Sequence, residues 1–335
     1  MRVIKPLIGI VFAVGMTCLT QAQQQGSYSD YYNDAQYDQE FAENVGRSEY
    51  SSYDPTINDV MLAPRTGKYR GILPSQMTYE ILGPMKAKNG DGHIHIQNWM
   101  TKLELWGKEM GRWRMLVDGA FRMTWLHGKA DADMDLDRLY SIWLTGTVGY
   151  RITDKTLIVG SLTPQVSSDM DTWVARDLFL GGNLLLNISP SDKISWTLGV
   201  AYAPQLGHTP CLPVIGVDWQ MTPTWRLQLQ GTRVAAMNKV TDWFSWGPFG
   251  SIVSGTWTVK HERMNQRFVW LSYVVGLTAN VGLGHFDGAD IRFVSDLGFT
   301  PYNSARYKSA SGRHQLKRYR FDTGAYVRFG VQVEY

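Results

Sequence analysis

Two things are scarce in this 335-residue chain: cysteine and long apolar runs. It has two cysteines, Cys18 and Cys211. Cys18 lies in a leader-like start, so the folded part cannot be held by an internal disulfide. Beyond the start no stretch of 18 or more apolar residues occurs, which excludes helices that span a bilayer. Nor is there a surplus of one charge. The formal net charge is +3, and subtracting Arg2 and Lys5 with a cleaved leader leaves +1. Nothing in the global balance points to nucleic acid.

The first residues, MRVIKPLIGIVFAVGMTCLTQA, place Arg2 and Lys5 ahead of an apolar core that ends near Leu19, followed by Thr20 and Ala22. This order reads as a secretory signal peptide over residues 1–22, cut after Ala22. Cys18 is preceded by Gly15, Met16 and Thr17, a poor match to a lipid-attachment site. Residues 23–70 change character. Between Gln23 and Val60 eight acids face one base, Arg47, with six tyrosines and few aliphatics. Such a segment cannot bury enough apolar surface to offset its chain entropy, and reads as a disordered acidic periplasmic tail.

From about Thr78 the chain alternates. In WRMLVDGAFRMTW, Trp113, Met115, Val117, Phe121, Met123 and Trp125 share one face, and Arg114, Asp118 and Arg122 the other. The pattern recurs in RLYSIWLTGTVGY, ISWTLGVAY and FVWLSYVVGLTANV, and again from Tyr319 to Tyr335. A period of two marks a strand with one apolar and one polar face. Globular strands usually span about 5–6 residues, whereas a tilted strand needs roughly 9–11 to cross a bilayer. Length therefore favours lipid over the alternative, a soluble β-sandwich, whose outward face would carry the charges.

The connections are of two kinds. Short turns occur at Asp154, Pro190, Pro223 and Asp242, built from residues that fix φ or bond their own backbone. Longer polar loops lie between them, among them HGKADADMDLD and TPYNSARYKSASGRHQLK. Alternation of short and long connections belongs to outer-membrane barrels, with turns on the periplasmic side. Trp196, Trp219, Trp225 and Trp243 gather at the short turns, as rings at a headgroup layer do.

These boxes, above all GVDWQMTPTWRLQLQG and SPSDKISWTLGVAY, make the chain resemble a family of uncharacterised outer-membrane β-barrel domains in exported proteins of diderm bacteria, over roughly residues 75–335. The resemblance implies a location in the outer membrane of a diderm bacterium. It also implies that the barrel assembly machinery reads the last strand, where Phe329, Val331, Val333 and Tyr335 match the expected alternation ending on an aromatic. No activity comes with it.

Counting segments predicts a closed antiparallel transmembrane β-barrel of about 12–14 strands over residues 71–335. The inward face carries the functional candidates: Arg114, Asp118 and Arg122 on one strand, Asp290, Arg292 and Asp296 on another, and Arg320, Asp322, Arg328 and Glu334 on the last. Rows of arginine and carboxylate either select solutes by a transverse field or interlock and fill the interior. No Ser/His/acid order is recognisable among the seven histidines. His93 and His95 share a strand face without an evident third metal ligand. Asp131, Asp133, Asp135 and Asp137 alternate, but Leu136 stands where a calcium loop needs glycine, which leaves a loose surface Ca²⁺ site or a solvated loop. The basic run of residues 303–320 suits phosphate-rich lipid, lipopolysaccharide included, or would draw anionic solutes to a mouth. The expected function is a passive, porin-like channel for small solutes without a cofactor. A non-conducting structural or surface-interaction protein is the alternative, and a rim-sited hydrolase a third.

Overall fold

The computed structural model describes residues 75–88, 92–129, 136–170, 178–202, 211–261, 264–286, 289–309 and 315–334. Residues 1–74, where a signal peptide and an acidic tail are expected, and Asp131, Asp133, Asp135 and Tyr335 lie outside them. Among the described residues there is no helix. There are fifteen strands: β1 (Gln76–Lys86), β2 (His93–Met110), β3 (Trp113–Lys129), β4 (Arg138–Thr153), β5 (Thr156–Ser168), β6 (Leu178–Ser191), β7 (Ile194–Tyr202), β8 (Cys211–Gln220), β9 (Trp225–Gln230), β10 (Arg233–Thr241), β11 (Phe244–His261), β12 (Met264–Phe286), β13 (Ala289–Ser309), β14 (Gln315–Phe321) and β15 (Gly324–Glu334).

Each strand from β1 to β12 pairs antiparallel with the next, β12 pairs with β13, and β15 returns to β1. β14 lies on the upper half of β13, from Asn303↔Phe321, and β15 on its lower half, up to Thr300↔Gly324. β14 and β15 are thus two halves of one stave, and the wall is a closed barrel of fourteen staves. Closure leaves no free edge, which is what an all-strand structure needs where water cannot satisfy its backbone.

The outward face is apolar. Leu144, Leu184, Leu198, Val200, Leu277, Leu297 and Phe299 are 42–60% exposed, and they form part of a continuous belt. A monomer in water rarely exposes such an area. Trp196, Trp219 and Trp243 stand exposed at the short-turn end, and Trp113 packs on Tyr150 at 4.6 Å between ring centroids.

The wall is uneven. β12 has 23 residues and β11 has 18, but β9 has only six. Gly231 and Thr232 close the β9–β10 hairpin low, and the last β10 pairing with β11 is Arg233↔Ser251. Above that level β11 loses its neighbour on this side and crosses the interior to β5. There Thr258 pairs with Ser168 in parallel, the Asp169 amide donates to the Thr258 carbonyl at 3.3 Å, and the Lys260 amide donates to Asp169 Oδ2 at 2.8 Å. The sequence of upper β11 agrees, because its outer positions are Ser254, Thr256 and Thr258 where lower β11 has Phe244 and Trp246. On β12, Arg267 sits over Phe179 of β6 at 5.1 Å.

A second irregularity runs through three adjacent staves at one height. β1 carries two residues, Gly83 and Pro84, where β2 has only His95. β13 carries Thr300 and Pro301 where β12 has only Val274, and the last stave breaks at Asp322–Thr323. In all three the inward phase flips. Leu82 and Met85 are both buried, as are Thr300 and Asn303, and Phe321 and Gly324. Gly83 adopts φ 109°, a region closed to other residues. Asn303 stitches the step together: its amide donates to the Thr300 carbonyl, the Thr300 hydroxyl and the Asp322 carbonyl, all within 3.0 Å.

Candidate functional site

The interior has two storeys divided by that step. Below it the inward residues are polar. Lys102 of β2 meets Asp118 of β3 at 3.5 Å, both 3% exposed or less. Asp218 of β8 holds Arg226 of β9 in a bidentate pair, each bond 2.6 Å. Glu80 accepts from Asn98 at 2.6 Å and from the Tyr326 hydroxyl at 2.8 Å. At mid-height Arg233 of β10 reaches across to Asp296 of β13 with bonds of 2.8 and 3.0 Å, and Arg328 of β15 reaches the same carboxylate at 2.9 Å. One anion thus bolts Arg233, three staves away, to Arg328, its cross-strand neighbour on β15. Fork geometry suits arginine here, since a planar guanidinium bonds a carboxylate through two N–H groups at once.

The lower storey is wet. Gln76, Asn280, Asn183, Ser161, Ser189, Thr147 and Ser245 bury side-chain polar atoms with no partner in the protein. Leaving so many groups dry would cost about 1–3 kcal/mol each, so water satisfies them. A chamber of about 260 Å³ opens at the short-turn end, lined among others by Lys239, Ser245, Asn280, His285, Asp290 and Arg292. In its floor, Lys239 grips Asp242 of the adjoining turn at 2.7 Å, and this contact holds the Asp242 carboxyl below its usual range.

The upper storey is aromatic. Trp257, Phe268, Trp270, Tyr307, Tyr319 and Phe321 fill it together with Leu82, Met85, Ile94, Ile96, Leu126 and Leu139. Ring centroids stand 5.4 Å apart for Trp270–Phe321 and for Phe268–Tyr307, and 6.1 Å for Trp257–Phe268. These are tilted contacts of packed cores. Arg122 caps this septum, 5.1 Å over the Trp257 ring, and donates to the Ser254 carbonyl at 3.3 Å.

Of the residues singled out in the sequence, Arg114, Asp118, Arg122, Asp290, Arg292, Asp296 and Arg328 point inward. They do not form one row. Asp290 and Arg292 line the chamber, Arg328 and Asp296 belong to the bolt, and Arg122 belongs to the septum. The backbone pairs Glu334 with Asp290. Arg320 and Asp322 are corrected: both are exposed on the outer face, and Asp322 pairs there with Lys88 at 3.6 Å. The phase flip at Asp322–Thr323 turns Tyr319 and Phe321 inward in their place. Phe329, Val331 and Val333 lie on the outward face of β15. Asp137 is exposed and pairs with Arg138. His95 bonds Gln97 and packs on His127 on the outer face, and His285 bonds Asp290 at 2.8 Å at the chamber mouth. Among the described residues no three His, Cys, Asp or Glu side chains gather as a metal site.

Sequence reasoning missed Arg233 and the Asp218–Arg226 pair, although both arginines fall at polar positions of alternating strands. It also missed the septum. Its signal is FVWLSYVV, apolar on both faces, as a strand buried on both sides reads.

A family described as a domain of unknown function, DUF6268, matches residues 83–334. Among solved structures, the Pseudomonas putida toluene transporter TodX is similar at 9% identity and TM-score 0.37, covering 83% of this chain and 92% of its own. The β domain of the Bordetella autotransporter BrkA has 11% identity and TM-score 0.30, covering 78% and 98%. The outer-membrane protein OprD of Pseudomonas aeruginosa has 8% identity and TM-score 0.25, covering 80% and 96%. No curated protein matches the sequence. The barrel assignment rests on the strand pairing itself, not on these likenesses.

Proposed function

The chain belongs to the family described as a domain of unknown function, DUF6268, and from that premise we propose that it is an outer-membrane channel for small polar solutes, shut in the conformation described. The observation that carries this is the polar chamber at the short-turn end, together with the aromatic septum that fills the barrel above the step. A polar interior inside a lipid-facing wall is how barrels provide a path. The septum depends on a β5–β11 seam of one ladder pair and the Asp169 contacts, few enough to part without unfolding the wall. The reading sets the short turns in the periplasm and the long loops outside, and it involves no catalytic step.

The second reading, a non-conducting structural barrel, draws support from the interlocked Lys102–Asp118 and Asp218–Arg226 pairs. Planar-bilayer recordings separate the two. The wild-type barrel stays shut or flickers briefly, whereas Phe268→Ala/Trp270→Ala conducts steadily. Steady wild-type conductance would defeat the closure. Silence from both proteins would defeat the channel and leave the structural barrel.

A further inference from the structure

Above the stacked Tyr273–Tyr302 pair, whose ring centroids are 5.1 Å apart, the outer face of β13 and β14 turns basic, while β12 stays apolar at Leu271 and Val269. Below the pair, the same face of β12 and β13 carries Leu277, Leu283, Leu297 and Phe299. Above it stand Arg306 and Lys308 of β13, Arg318 and Arg320 of β14, and Lys86 at the end of β1. Arg306 lies directly opposite Arg318 in the ladder, and Arg320 lies opposite Ser304. Among the described outward residues of β1, β12, β13 and β14 there is no acid. The nearest is Asp322, in the break after β14, which already pairs with Lys88.

Directly opposed like charges destabilise an antiparallel pair, so this arrangement calls for an anion. Arg318 donates to the Tyr302 hydroxyl at 2.7 Å, while Arg318 Nε has no partner. Tyr302 thus orients the Arg318 guanidinium, beside Arg306 in the ladder. We propose that this face binds a phosphate group of a lipopolysaccharide-type glycolipid in the outer leaflet. The height fits. Ser304 and Arg306 follow Tyr302 by two and four residues, about 7 and 13 Å along a strand, just outside the hydrocarbon that a stacked tyrosine pair borders. Guanidinium pairs are the preferred partners of phosphate. A soluble anion bound for the lumen is a worse match, because these cations face away from it and the inward neighbours are Tyr307 and Tyr319.

The inference rests on the outer-membrane reading, and its test keeps the two apart. The full chain is refolded in detergent, and native mass spectrometry follows titration with bis-phosphorylated lipid A, the same lipid after phosphatase treatment, and inorganic phosphate. Arg306→Gln/Arg318→Gln should bind lipid A at least 10-fold more weakly than wild type, while Arg112→Gln, in a short turn at the other end, binds as wild type. The dephosphorylated lipid should not distinguish the proteins. Equal binding by wild type and the double variant, or equal loss in Arg112→Gln, overturns the site. Displacement of the lipid by millimolar phosphate makes it a free-anion site and overturns the lipid assignment. Thermal unfolding guards against a misfolded variant: lipid A should raise the wild-type midpoint and not the variant's, and the lipid-free variant should be at least as stable as wild type. A less stable lipid-free variant would refute the opposed-charge argument. If the wild-type chain stays dissolved without detergent, the membrane reading fails instead.

Discussion

Replacing Asp296 by Asn would leave Arg233 of β10 and Arg328 of β15 converging with no anion between them. The three side chains are almost fully buried: Arg233 is 3% exposed, Asp296 0% and Arg328 13%. With charge centres about 4 Å apart, each pair is worth about 4 kcal/mol at an effective dielectric near 20 but only about 1 kcal/mol in bulk water. The size of the loss therefore reports what fills the middle of the barrel. Removing one partner of a buried pair costs about 3–5 kcal/mol, because the remaining charge stays desolvated, and Asp296→Asn should fall in that range. Urea titration of the protein folded into lipid vesicles, followed by tryptophan fluorescence, measures it. Arg233→Gln added to Asp296→Asn should recover part of the loss, since one stranded cation is then gone. A loss under about 1 kcal/mol would mean that water runs continuously past the bolt, and the closed interior would be wrong.

Three further outcomes follow from the same geometry. Leu297→Arg, on the lipid-facing side of β13 and 60% exposed, should destabilise the barrel by about 2–4 kcal/mol in vesicles yet leave a soluble protein untouched; the same urea titration decides. Cys211, exposed at the long-loop end of β8, should react in intact cells with a membrane-impermeant maleimide, and protection there would invert the proposed orientation. Gly83→Ala places a side chain at φ 109°, where its Cβ would stand 3.0 Å from the Ile94 carbonyl oxygen; a loss of about 1–3 kcal/mol read from the thermal midpoint is expected, and no loss would show that the step can relax.

The sequence made the wall legible almost stave by stave because each lipid-crossing strand repeats one rule, apolar out and polar in. The faces of β3, β4 and β7 follow from alternation alone, as do the inward positions of Arg114, Asp118, Asp296 and Arg328. Arg320 and Asp322 went to the wrong side for a physical reason. The alternation from Tyr319 to Tyr335 looks unbroken because aromatics serve both faces in turn: Tyr319 and Phe321 sit in the septum, whereas Phe329 sits in the lipid belt. A phase flip shared with β1 and β13 leaves no mark in one strand read by itself. The Arg233–Asp296 bond was equally hidden, since it spans 63 residues and depends on how far an uneven wall lets β10 and β13 approach.

The six residues of β9 have a consequence for the surrounding lipid. At about 3.3 Å per residue and a tilt near 40° they rise only about 15 Å, against an apolar belt of about 25 Å elsewhere on such barrels. A bilayer meeting that flank has to dip toward the notch, at a cost that grows with each ångström of mismatch. Acyl chains pinched there are the most strained in the annulus, and short-chain lipids would collect beside β9.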